Sequence, residues 1–175
     1  MAEVILRRGV VGDAPQLALL AARTFAETFA ADNRPEDMQV HLEQSYGIAQ
    51  QSKELLDPEV VTLLADRDGE LLGFAQVRRN APPPCVAERG AIELHRFYLD
   101  KRTHGSGLAT RLMQASREAA LELGGRHLWL GVWERNPRAL AFYRKAGFSD
   151  VGNTIYRVGP DPQTDRVLLA QVAAT

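Results

Sequence analysis

A strand-like run, Ile92 to Leu99, meets a strongly helical run, Leu108 to Leu123, across the stretch Arg102-Thr-His-Gly-Ser-Gly-Leu-Ala109. This junction constrains the fold most, because it demands a strand and a long helix joined by a tight, glycine-bearing turn. Two glycines let the backbone close around a ligand without interference from Cβ atoms. The helix that follows presents unpaired N–H groups and the positive end of its dipole. A strand, a glycine turn and a helix N-terminus together make a site for phosphate groups.

The strand before the turn has an irregular pattern. Ile92 and Leu94 share one parity, whereas Phe97 and Leu99 share the other. Strand side chains alternate with period two, so the change predicts an extra residue, a β-bulge, near His95-Arg96.

Elsewhere helical and strand patterns interleave. Val4 to Val11 reads as a first strand, and Gly12-Asp13-Ala14-Pro15-Gln16 opens a helix with Asp13 as its N-cap and Gln16 completing a capping box. Leu17, Leu20, Ala21, Thr24, Phe25 and Thr28 form its stripe, and a more polar helix spans Pro35 to Tyr46. Val60 to Ala65 and Leu71 to Val77 flank the hairpin signal Asp66-Arg67-Asp68-Gly69. A loop follows from Arg78 to Arg89, and Gly124-Gly125 ends the long helix. His127 to Val132 is a strand, Asn136-Pro137 starts a short helix that stops at Gly147-Phe148, and Ile155 to Val158 and Arg166 to Val172 complete a sheet. The fold class is α/β on a mixed sheet, in one domain over residues 1–175.

Composition narrows the function classes. A formal net charge of −1 lacks the broad positive field of a non-specific nucleic-acid binder, so no nucleic-acid partner is expected. No apolar run is long enough to span a bilayer, and Met1-Ala-Glu-Val-Ile-Leu-Arg-Arg8 lacks the order of a signal peptide. A cytoplasmic protein without a membrane partner is expected. The one cysteine, Cys85 in Ala81-Pro-Pro-Pro-Cys85, reads as a loop thiol. No set of His, Cys, Asp and Glu has metal-ligand spacing, so no metal is expected.

Three phosphate motifs compete for the glycine turn. A Walker A loop needs Gly-x-x-x-x-Gly-Lys-Ser/Thr, which the chain lacks. A dinucleotide fingerprint needs a third glycine where Thr110 stands, and an acid about twenty residues on, where Gly124-Gly125-Arg126 stands. The third pattern, Arg/Gln-x-x-Gly-x-Gly/Ala, is matched by Arg102-x-x-Gly105-x-Gly107. It resembles motif A of the GNAT N-acetyltransferase superfamily. Asn136-x-x-Ala139-x-x-Phe142-Tyr143-x-Lys145-x-Gly147-Phe148 is similar to that family's motif B, at the family's spacing, and Glu93-Leu-His-Arg-Phe97-Tyr98-Leu99 corresponds to the strand before the loop. Thr24-Phe-Ala-Glu-Thr-Phe-Ala30, Asn33-Arg-Pro-Glu-Asp37, Leu128-Trp-Leu-Gly-Val-Trp-Glu134 and Gln163-Thr-Asp165 resemble the branch that includes bacterial spermidine/spermine acetyltransferases.

The resemblance implies a GNAT fold: a mixed, mostly antiparallel sheet of about seven strands, flanked by about four helices, with a bulged central strand. It implies acetyl-CoA as cosubstrate and a small-molecule amine, such as a polyamine, as acceptor. Attack would be direct, in a ternary complex, and a homodimer is compatible with it. Acetylation of a protein N-terminus or lysine, and acyl-CoA binding without turnover, are the alternatives.

Backbone amides of His104, Gly105, Ser106, Gly107, Leu108 and Ala109 are expected to hold the pyrophosphate, with charge from Arg102 and Lys145. Phe97, Tyr98 and Leu99 are implied to pair with the pantetheine arm, and Asn136 to hydrogen-bond the coenzyme. Tyr143 is the implied general acid, since a phenol of pKa ~10 suits protonation of a departing thiolate. Glu93, directly or through water, is the expected general base, and His95 is the other candidate. Glu27, Asp32, Glu36, Asp37 and Glu43 outnumber Arg23, Arg34 and His41. They read either as an acidic rim for a cationic acceptor or as a solvated helix face.

Overall fold

The computed structural model describes residues 2–173. Its elements run β1 (Ile5–Arg8), α1 (Ala14–Phe29), α2 (Pro35–Tyr46), α3 (Ile48–Leu56), β2 (Val60–Arg67), β3 (Glu70–Arg78) and β4 (Ile92–Leu99). They continue with α4 (Leu108–Glu122), β5 (His127–Trp133), α5 (Pro137–Lys145), β6 (Ser149–Val158) and β7 (Asp161–Gln171). The strands form one seven-stranded sheet in the order β1-β2-β3-β4-β5-β7-β6. Every neighbouring pair is antiparallel except β4 and β5.

Each face of the sheet buries its own helices. Leu112, Met113, Ala119 and Ala120 of α4 pack with Val77, Ile92, Leu94, Leu128, Leu130 and Leu168. On the other face, Leu17, Leu20, Ala21 and Phe25 of α1, with Met38 of α2, pack on Leu64, Phe74, Trp133 and Val158. The helical stripe read from the sequence is the buried face of α1.

The bulge is where the parity change puts it. Gln76 of β3 pairs with Arg96 and Val77 pairs with Leu94, so His95 has no partner in the ladder. One extra residue returns Phe97 and Leu99 to the face already occupied by Ile92 and Leu94, and all four belong to the same apolar layer. It also turns β4 away from β5. These parallel strands pair only at Ile92–Leu128 and Glu93–Trp129, and beyond that point their facing edges separate.

Several local expectations differ. β1 is shorter than Val4 to Val11 because Val11–Asp13 wind into a 3₁₀ turn. Asp13 does not cap α1 through its side chain. It accepts from Arg7 at 2.8 and 2.9 Å and from the Val10 N–H at 2.8 Å. α3 has no counterpart in the sequence reading, because its inward residues Gln51 and Glu54 are polar and leave no apolar period. They serve Arg96, which is buried beside the bulge. Its guanidinium donates to Glu54 and Gln76 and, at 3.2 Å, to the Ser45 carbonyl, and it lies 4.7 Å from the Tyr46 ring centroid. The β6–β7 hairpin is longer than expected. β6 is an edge strand with a half-exposed pattern and an irregular pairing at Asp150–Gly152, so its alternation is weak.

Candidate active site

The divergence of β4 and β5 opens a cavity of about 560 Å³ that runs through the sheet. One half is lined by the glycine turn and α5. The other half is lined by α1, Tyr46 and the β6–β7 hairpin.

In the first half the backbone builds an anion cradle. Asp100 accepts from the Arg102 N–H at 2.9 Å and starts a 3₁₀ turn over Lys101–Thr103. The chain then passes through Gly105 (φ 81°) and Gly107 (φ 84°), the latter the N-cap of α4. A left-handed conformation favours glycine at both. The N–H groups of Gly105, Gly107, Ala109 and Thr110 have no backbone partner among the described residues, so they are available to an anion. Those of His104 and Ser106 donate to Lys101 and Thr103 at 3.1 Å, and Leu108 N–H is 3.3 Å from the Ser106 hydroxyl. The cradle is therefore narrower than the expected His104-to-Ala109 run, and it extends to Thr110.

The two expected cations lie elsewhere. Arg102 is held by Asp100 at 2.9 Å and Glu70 at 2.6 Å, which fastens the turn to the β2–β3 hairpin and leaves the guanidinium outside the cavity lining. Lys145 is exposed at the end of α5 and also outside the lining. Arg138, in the first turn of α5, lines the cavity without an ion-pair partner among the described residues. The sequence reading did not single it out, although its place two residues after the Asn136 cap was a local signal. Leu108 is buried, and the Ser106 side chain bonds within the turn, to the Thr103 carbonyl.

Phe97, Tyr98 and Leu99 line the middle of the cavity with Leu130 to Trp133 opposite. Asn136 accepts from the Ala139 N–H at 3.2 Å, the expected cap, and starts the helix that carries Tyr143. Tyr143 is 8% exposed and packs edge-on against Phe97, Phe142 and Phe148, with centroids 5.4–6.2 Å apart. Its hydroxyl bonds to no other described residue, and burial raises its pKa well above the usual phenol value. The phenol therefore keeps its proton throughout the ordinary pH range.

Glu93 and His95 stand together at the bulge. Arg78 Nε donates to Glu93 at 2.6 Å and Asn80 Nδ2 at 2.9 Å, while His95 Nδ1 lies 3.5 Å from the other carboxylate oxygen. Burial opposes the charge on Glu93, but His95 and Arg78 outweigh it and hold the carboxyl at about 2. A carboxylate so firmly ionised is a weak proton acceptor. His95 is different: burial, together with Arg96 and Arg78, lowers its pKa against the pull of Glu93, so its imidazole is neutral near pH 7.

In the second half, Phe29 and Trp133 lie 5.3 Å apart, and Tyr156 is bonded to His41 at 2.8 Å. Of the two readings of the acidic residues on the first helices, the solvated face fits this wall, because none of them is in the described lining. Glu27, Asp32 and Glu36 are exposed outside the lining, Asp37 is paired with Arg34 at 3.0 Å, and Glu43 accepts from Gln39 at 3.1 Å. The lining carboxylates are Glu93 and Asp165. Asp165 is 8% exposed and has neither hydrogen bond nor ion pair to its side chain among the described residues. Burial, with a contribution from Glu134, pushes it up to about 7. The sequence marked Asp165 only within the stretch Gln163-Thr-Asp165, one residue before the expected strand, and gave it no role; the structure places it inside β7.

Comparison with known proteins follows the same geometry. The sequence model of the acetyltransferase (GNAT) family matches residues 22–148. The chain belongs to the acetyltransferase (GNAT) family. This GNAT protein is an N-acetyltransferase, in line with its named relatives. It is 31% identical over 156 residues to an uncharacterized N-acetyltransferase from the pepI 3′ region of Lactobacillus delbrueckii subsp. lactis, covering 89% of this chain and 90% of that one. It is 29% identical over 82 residues to the spermine/spermidine N(1)-acetyltransferase of Bacillus subtilis (strain 168), covering 46% of this chain and 54% of that one. Its fold is similar to that of PaiA N-acetyltransferase from Thermoplasma acidophilum in complex with coenzyme A. The TM-score is 0.78 at 18% identity, over 97% of this chain and 99% of that one.

Proposed function

We propose that this acetyltransferase moves the acetyl group of acetyl-CoA to a primary amine of a small molecule, with polyamines the favoured class, by direct attack in a ternary complex. The observation that carries this reading is the continuous cavity. It leads from an anion cradle, past a buried unbonded phenol and a neutral imidazole, into a recess with an unpaired carboxylate. The partial similarity to a spermine/spermidine acetyltransferase supports the acceptor class.

Amides of Gly105, Gly107, Ala109 and Thr110 fit a pyrophosphate, with Arg138 as the nearby cation, and the unpaired edge of β4 at Phe97–Leu99 fits an extended amide-bearing arm. Asn136 lines the same half. When bound, acetyl-CoA supplies an activated acyl group as its thioester. His95 takes the proton that the attacking amine must lose, and Glu93 fixes the imidazole orientation and stabilises its charged form. Tyr143 donates its hydroxyl proton toward the departing thiolate sulfur. One N–H bond and one thioester bond break, one amide and one thiol form, and afterwards His95 releases its proton to solvent and Tyr143 regains one from it.

A thiol-release assay with acetyl-CoA across monoamines, diamines, polyamines and peptides tests the reading. Thiol release with small amines, and an acceptor 42 Da heavier by mass spectrometry, is the expected result. Coenzyme binding with no release from any amine would end it.

A further inference from the structure

Asp165 sits at the centre of β7, opposite Trp133 on β5 and Thr154 on β6. Its carboxylate leans over Gly131, where an added Cβ would lie 3.1 Å from Oδ2. Gly131 is exposed although both neighbours in β5 are buried, so the cavity floor beside Asp165 is bare backbone. Trp133, Phe29 and Tyr156 line the same half.

Arg138 stands at the glycine-turn half, near His104, and three other arginines of the cavity wall or of β7 are committed elsewhere. Arg78 is bound to Glu93, Arg96 to Glu54 and Gln76, and Arg166 to Asp150 at 2.7 Å. An unpaired buried carboxylate beside aromatic faces is complementary to a cationic nitrogen, which gains both an ion pair and ring-face attraction. That nitrogen is not the one acetylated. An amine must be uncharged to attack, and an ion pair with Asp165 would hold its proton in place.

We infer that Asp165, over the bare backbone of Gly131 and beside Trp133 and Phe29, holds a second ammonium group of the acceptor, so that the acceptor is a diamine or polyamine rather than a monoamine. This rests on the small-amine reading above and adds its selectivity. Tyr156 supplies a further polar edge to the recess.

The test compares 1,4-diaminobutane with n-butylamine, which has the same four-carbon chain and lacks the second charge. Wild type is expected to show a KM for the diamine about tenfold to a hundredfold lower. Asp165→Asn should abolish that preference by raising the diamine KM, with kcat and both butylamine parameters changed less than about threefold. Gly131→Ala, which keeps the charge but intrudes on the carboxylate, should raise the diamine KM in the same sense. Equal KM values for the two amines in wild type would overturn the inference. A fall in kcat shared by both amines in Asp165→Asn would also overturn it, by putting Asp165 at the reacting nitrogen. If no amine releases thiol, the small-amine reading fails, and calorimetry of 1,4-diaminobutane on the CoA-loaded protein still decides the subsite. Binding by wild type that Asp165→Asn loses supports it, and no binding, or binding equal in both, removes it.

Discussion

At the scale of single residues, Glu93, His95, Tyr143 and Asp165 face one cavity with unequal readiness to move a proton. Glu93, held by His95 and Arg78, is ionised down to about pH 2, whereas the His95 imidazole is neutral near pH 7. kcat/KM is therefore expected to fall on an acid limb below pH 6.5, as His95 takes up a proton. Glu93 favours the charged imidazole, so Glu93→Gln should move that limb to lower pH and reduce the plateau, because a weaker base remains. A pH–rate profile of the variant that overlays wild type would remove the pair from the mechanism. Tyr143→Phe is expected to lower kcat by about a hundredfold or more, with coenzyme affinity changed only a few-fold, because the lost hydroxyl bonds to no other described residue. Asp165 gives a stability signature. Its carboxyl lies near 7 when folded, against 3.8 for an unperturbed group. Below pH 3.8 both states are neutral and no penalty exists. Between the two values the unfolded chain ionises first and folding loses stability, and above pH 7 the loss is constant. Asp165→Asn should thus stabilise the ligand-free protein at pH 8, by as much as about 3 kcal/mol, and hardly at all at pH 4. Urea unfolding at the two pH values measures the difference.

At the scale of elements, the bulge organises the site, and α3 holds the bulge. Arg96 is buried beside it, and Glu54 on α3 is its carboxylate partner. Glu54→Ala leaves that guanidinium buried without an anion and is expected to cost about 3–5 kcal/mol, whereas Glu54→Leu with Arg96→Met should recover most of it. Denaturant midpoints of the two variants check this. The same elements mark how much was legible in the sequence. The bulge showed itself as a parity change between Leu94 and Phe97, and the start of α5 as Asn136-Pro137, because ladder alternation and helix capping are local. α3 was invisible because its buried face is Gln51 and Glu54, whose partner Arg96 lies about forty residues on. Arg102 carried a motif position but is spent on Glu70, 32 residues away, and Asp165 gains its meaning only from the bare Gly131 on the neighbouring strand. Local chemistry marked the glycine-turn half of the cavity, while the recess of the other half depends on contacts that only the sheet order creates.

At the scale of the whole molecule, the sheet is two ladders with a narrow join. β1 to β4 pair along their lengths, as do β5, β7 and β6, but β4 and β5 share only two residue pairs. A coenzyme lying in the gap would touch both ladders and the N-terminus of α4, so its binding energy becomes folding energy for the whole sheet. At a coenzyme concentration near 100 times Kd the added stability is about 2.7 kcal/mol, and for a chain of this size Tm is expected to rise by about 5–10 °C. CoA and acetyl-CoA should act nearly alike if, as proposed, the glycine turn holds the phosphates, which both share. Gly107→Ala forces a side chain into the left-handed conformation at φ 84° and should weaken the coenzyme at least about tenfold, largely erasing the Tm rise at the same concentration. Hydrogen exchange locates the effect. With CoA present, amides of Phe97 to Leu99 and Gly105 to Thr110 should slow together, and those of the distant β1–β2 pair should slow only as far as global stability does. Protection confined to α4, with β4 unchanged, would break the link between the open edge of β4 and the coenzyme, and would leave the glycine turn as an isolated phosphate site.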